Sequence, residues 1–93
     1  MKPNFEWNPE KASSNLQKHQ VDFEEARTIF DDPLFITFLD EEHSTEEERT
    51  ITIRLSIKKN LIIVAHTEHN DLIRIISARK VTKNEEKFYQ EAG

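Results

Sequence analysis

The chain has 93 residues, too few for a second independent core, and Leu, Ile, Val and Phe supply 25 of them, above the ~20% at which disorder becomes the default. Cysteine is absent, which excludes a disulfide framework, a thiolate zinc site and a cysteine nucleophile, and the longest apolar run, Leu61 to Ala65, is far below the ~18 residues of a membrane span. The net charge of −5 divides unevenly: residues 1–48 carry 4 basic and 13 acidic side chains, residues 49–93 carry 9 and 5, so an acidic half precedes a basic one.

Phe5, Glu6 and Trp7 alternate apolar and charged, and Asn8 and Pro9 follow, which predicts a short strand and then a helix capped by Asn8 that runs to about His19. Its apolar stripe is thin, little more than Ala12 and Leu16. Asp22 and Glu25 have capping-box spacing, with Asp22 expected to accept the Glu25 N–H and Glu25 to reciprocate. Phe23, Ala26, Arg27 and Phe30 then fall at helical spacing, ended by Asp31, Asp32 and Pro33.

Leu34 to Leu39 is β-branched and aromatic, and the charge-dense stretch Asp40 to Glu48 reads as a loop. Ile51, Ile53, Leu55 and Ile57 alternate with Thr50, Thr52, Arg54 and Ser56, a strand with one apolar and one polar face. Lys58 to Asn60 is a turn, Leu61 to Ala65 a central strand apolar on both faces, His69 to Asp71 a second turn, and Leu72 to Ala78 the next strand. Thr82 and Glu85 repeat the capping box and open a helix to about Glu91 with Phe88 and Tyr89 as its apolar side.

The order β-α-α-β-β-β-β-α predicts an α+β domain over residues 1–93: two early helices on one face of a mainly antiparallel four- to five-stranded sheet, and a short terminal helix. The other face, carrying Thr and Arg, is expected to lie bare and to be the place of function.

Gly93 is the only glycine, which excludes Gly-rich phosphate loops and nucleophile elbows, so no nucleotide cofactor is expected. His66, Glu68, His69 and Asp71 have ligand chemistry, but neighbours on strand and turn diverge, and no metal is expected. His66 and Glu68 share a strand face and read either as an acid-base pair or as a polar strand end. Arg74 interrupts an apolar run, as a solvent-reaching arginine or as a fork for phosphate. Strict alternation puts Arg74 and Arg79 on opposite faces; a bulge would unite them. Lys18 and His19 suit the negative end of the first helix. Arg54, on the polar face of its strand, and Tyr89, able to stack on a base, complete the candidate set.

Phe5 to Lys11, Asn15 to His19, Val21 to Ala26, Phe30 to Pro33, His66 to Glu68 and Arg74 to Arg79, in that order, closely resemble the BrnT family of type II toxins. The resemblance implies a RelE-like fold and a metal-independent endoribonuclease that inhibits growth until neutralised. It also implies a cytoplasmic protein without membrane contact, a BrnA-type ribbon-helix-helix antitoxin as partner, and operator DNA reached only through that antitoxin. By the matching segments it gives His66, with Glu68, to proton transfer and Arg74 and Arg79 to phosphate, with Lys18 and His19 as secondary contacts to RNA. Two positions depart from the family: Gln20 and Asn70 stand where glycine is usual. A toxin-like module that binds its partner without catalysis is the alternative.

Overall fold

Asn8 begins the first helix as its side chain dictates: its Oδ1 accepts the N–H groups of Glu10 and Lys11 at 2.8 and 3.2 Å, and Pro9 occupies the first turn. The structure, a computed structural model, describes residues 4–31, 36–40 and 49–92. Within them lie β1 (Asn4–Glu6), α1 (Pro9–His19), α2 (Phe23–Arg27), a 3-10 turn (Thr28–Asp31), β2 (Ile36–Asp40), β3 (Arg49–Leu55), β4 (Leu61–His69), β5 (Leu72–Lys80) and α3 (Lys83–Ala92). Asp40, expected to open the acidic loop Asp40 to Glu48, instead ends β2; the rest of that loop, the Pro33 stop and the start of the strand expected from Leu34 fall outside the described residues.

The strands form a five-stranded sheet in the order β1-β5-β4-β3-β2. Strands β2 to β5 make an antiparallel meander, and β1 pairs parallel with β5, Phe5 opposite Ile73 and Glu6 opposite Arg74. The run that is apolar on both faces, Leu61 to Ala65, is in the middle strand.

Both early helices are shorter in apolar content than their spacing suggests, and polar groups explain why. In α1 the half-exposed residue is Leu16, while Asn15 is buried. Asn15 donates through Nδ2 to the carbonyls of Ala78 (2.8 Å) and Val21 (3.0 Å) and accepts the Ala78 N–H at 3.1 Å, so its amide stands in for a strand on the free edge of β5. In α2, Asp22 accepts from Glu24 rather than from Glu25. The Glu25 carboxylate is buried instead against the β3–β4 turn, taking Ser56 Oγ at 2.5 Å and Asn60 Nδ2 at 2.9 Å, so the reciprocal half of that capping box is absent. Thr28 Oγ1 bonds back to the Glu25 carbonyl at 2.6 Å and accepts the Ile57 N–H at 2.9 Å, where the helix tightens into its 3-10 turn.

The core lies between these helices and the sheet: Val21, Phe23, Ala26 and Ile29 meet Ile62, Val64, Ile73, Ile75 and Ala78. Residues paired across strands share a face, so Thr52, opposite Val64, and Arg54, opposite Ile62, are on this helix-facing side. That reverses the expectation for β3, whose apolar set Ile51, Ile53 and Leu55 is on the far side. The register to β4 decides it, and Thr52 is buried at no loss because its hydroxyl has partners in both Thr37 Oγ1 and His66 Nε2, each at 2.7 Å.

Gln20 and Asn70 both adopt left-handed backbone, with φ of 59° and 57°. These are the conformations glycine favours, Gln20 as the αL cap whose N–H bonds Leu16 O at 2.8 Å and Asn70 in the β4–β5 turn. Both positions thus hold a backbone that glycine favours, at a steric cost of order 1 kcal/mol for Gln20 and less for Asn70.

Candidate functional site

Strand β5 carries the site because its alternation is broken once. Ser77 pairs with Ala65 and Ile75 with His66, so Ile76 is an extra residue in a bulge. Beyond the bulge the parity inverts. Ile73, Ile75 and Ala78 point into the core, and Arg74, Ser77 and Arg79 are together on the far face, both arginines brought to one side by the one extra residue between them.

Arg74 and Ser77 are exposed and Arg79 is half-buried. Thr67 is opposite Arg74, and Glu6 of β1 is its neighbour on the other side. A groove of about 210 Å³ opens beside Ser77, between α1 and β5, and Lys11, Ser14, Lys18 and His19 line its helix side. The basic end of α1 is therefore set against the strand that holds the arginines. Asn15 fixes that juxtaposition by its bonds to Ala78.

Arg79 is held firmly. Its Nη1 and Nη2 each meet one oxygen of Glu85 at 2.7 Å, and Nη1 also donates to Lys80 O at 3.3 Å. Glu85 is at the same time the cap of α3: Oε1 accepts the Thr82 N–H at 2.8 Å and the Glu85 N–H returns to Thr82 Oγ1 at 3.2 Å. Hydrogen bonding from Arg79 is the main cause that holds the Glu85 carboxyl down to about 2, and the same bond raises Arg79 above its ordinary value.

His66 is not on this face. It is fully buried, edge-on to Phe30 with ring centroids 4.9 Å apart, and its Nε2 is engaged by Thr52. Burial lowers its pKa from 6.5 to about 4, so the ring is neutral at pH 7, and among the described residues nothing partners Nδ1. Glu68 shares its parity, opposite Ile73, but is exposed near the end of β4. The expected partnership of His66 with Arg74 and Arg79 is thus replaced by a sheet between them. Arg54 is also on the helix-facing side, and its Nη1 donates to the Tyr89 hydroxyl, which places both residues at the β3 end of the sheet, away from Arg74. Phe88, expected to be apolar contact of α3, is more than half exposed.

Ser77, Lys11 and Glu85 were not singled out from the sequence for the site. Ser77 had a signal, as the polar residue between two arginines in the Arg74 to Arg79 segment; Lys11 is recognisable only once α1 is laid against β5. Among the described residues, no three His, Asp or Glu side chains are grouped as metal ligands, and no helix is long and apolar enough to cross a membrane.

The sequence matches the family described as "Ribonuclease toxin, BrnT, of type II toxin-antitoxin system" over residues 7–85. Among solved structures the fold is similar to the 1.1 Å crystal structure of the Brucella abortus ribonuclease toxin BrnT, at 21% identity, covering 89% of this chain and 99% of that one with a TM-score of 0.64. No curated protein matches.

Proposed function

The chain belongs to the BrnT family of ribonuclease toxins of type II toxin-antitoxin systems, and from that premise we propose that it is a RelE-like, metal-independent endoribonuclease that cuts RNA on the far face of β5. The observation that carries the reading is the bulge at Ile76, which gathers Arg74, Ser77 and Arg79 beside the Lys18 and His19 groove.

The reaction is transphosphorylation. The 2'-oxygen attacks the adjacent phosphorus, its proton passes to a base, the P–O5' bond breaks, and the 5'-oxygen takes up a proton, leaving a 2',3'-cyclic phosphate and a 5'-hydroxyl. Charge grows on the non-bridging oxygens, and fixed guanidinium groups stabilise it most where water is thinned. Arg74 and Arg79 fill that role, with Lys18 and Lys11 on the flanking backbone. His19 is the imidazole on the groove side and is the group we assign to proton transfer. The burial of His66 supports a different part for it, as the buried pin between β3 and β4 through Thr52. Glu68 and Arg54 have helix-facing parity and Tyr89 is bonded to Arg54, so these three take no part in this reading. In this reading growth inhibition ends when a BrnA-type ribbon-helix-helix antitoxin covers the face, operator DNA is met only through that antitoxin, and the pair works in the cytoplasm.

The test is cleavage of a fluorescent RNA by purified protein in EDTA, followed by expression without antitoxin. Parental protein cuts and arrests growth, and Arg79→Ala and Arg74→Ala each lose about 100-fold in cleavage with folding retained. Intact RNA with the parental protein would show a binding module instead, and silencing by EDTA alone would show a metal nuclease.

A further inference from the structure

The five N–H donors of Arg79 are unequally spent, and the remainder has a shape. Nη1 uses both hydrogens, on Glu85 Oε1 and on Lys80 O, and Nη2 uses one, on Glu85 Oε2. The second hydrogen of Nη2 and the Nε–H have no acceptor among the described residues. Those two hydrogens are parallel and lie on the same edge of the guanidinium, which is the side-on fork that grips two oxygens of a phosphate. Glu85 therefore occupies the end of the guanidinium and leaves its side.

Glu85 is itself fixed, since it is the third residue of a capping box and its Oε1 is tied to the Thr82 N–H at 2.8 Å. A flexible arginine has many rotamers, and ordering it only when substrate arrives costs binding energy that could otherwise act at the transition state. Here the start of α3 does the ordering beforehand. Both partners are partly exposed, with side-chain accessibility of 39% and 30%, so the fork is held at the surface where RNA can reach it.

We propose that Glu85 is a positioning residue: through the bidentate pair it orients Arg79 so that the Nε–Nη2 edge, and no other, meets one phosphate of the RNA. The inference rests on the reading of Arg79 as the phosphate-stabilising residue, and it adds the group that acts through it. The low pKa of Glu85, about 2, means the clamp is ionised throughout the working pH range.

Glu85→Gln tests it, because glutamine also serves in a capping box but places an amide N–H₂ against Nη2 and breaks the two-point clamp. With RNA cleavage measured against substrate concentration, E85Q should lose about tenfold in kcat with less than a twofold change in KM, in protein whose circular dichroism shows the parental fold. A parental kcat for E85Q beside an inactive R79A would overturn the assignment of Glu85, as would a loss confined to KM. A fully active R79A would instead bring down the reading on which it rests. Should E85Q fail to fold, ¹⁵N relaxation of the arginine Nε–H groups in the parent decides the matter: Arg79 is expected to be rigid and Arg74 mobile, and equal mobility refutes the clamp.

Discussion

His66 shows how one side chain can carry the chemistry of a site by type and the role of a core residue by place. Two residues in sequence from Glu68 and opposite the arginine strand, it reads as an acid-base group, but Ile75 of β5 and Thr50 of β3 flank it on the inward side of the sheet. Its titration then bears on stability. A base whose pKa is lowered from 6.5 to about 4 by burial binds its proton more readily in the unfolded chain, so unfolding takes up a proton as the pH falls through that window, and stability falls with it. At 1.36 kcal/mol per unit the full effect is roughly 3 kcal/mol. Glu85 acts in the neighbouring window: its contribution is present above its ordinary value of 4.5 and is lost as the pH falls toward about 2. Urea unfolding at about pH 7 and about pH 4.5 should therefore show the parent losing roughly 2 kcal/mol more than His66→Leu. Equal losses in the two proteins would mean that His66 does not titrate in this range.

Among the elements, strands β3 to β5 are the most legible, because alternation and short turns are local signals that need no tertiary knowledge. The parts that sequence does not reveal are non-local. The parallel partnership of β1 with β5 joins residues 68 positions apart, Asn4 and Leu72, and no periodicity marks it. The face of β3 is fixed by pairing Thr52 with Val64 rather than by its own pattern, and the Ile76 bulge leaves no trace in an apolar run. Asn15 belongs to the same class: a polar residue at the helix position where an apolar one is expected, explained only by the strand edge it completes. Replacing it by alanine strips partners from the Ala78 N–H and C=O in a buried place, and Asn15→Ala should cost about 2 kcal/mol or more. Amide exchange at Ala78, slow in the parent, is expected to accelerate in the variant well beyond that of Val64; unchanged protection at Ala78 would show that water replaces the amide without loss.

At the scale of the whole molecule, the net charge of −5 is no guide to what the protein binds, because the fold separates the charges. Residues 49–93 carry 9 basic against 5 acidic side chains, and the groove adds Lys11 and Lys18 from the acidic half to Arg74 and Arg79 from the basic one. The site was thus half legible: its arginines stand out in an apolar strand, whereas the lysines join them only through the packing of α1 on β5. Four cations along β5, two on its far face and two on the α1 side of the groove, make a quantitative claim about binding. Each phosphate they neutralise releases counterion, so affinity for single-stranded RNA should fall with log salt at a slope near −3, from about −0.7 per contact. Binding of an uncleavable 2'-O-methyl RNA, measured between about 50 and 200 mM salt, tests this without turnover. Arg74→Ala and Lys18→Ala should each reduce the slope by about 0.7, while Arg27→Ala, in the helix layer and paired with Glu24 at 2.8 Å, should leave it alone. A slope that changes with Arg27 and not with Arg74 would move the RNA path to the helix side of the sheet, beside Phe5 and Trp7.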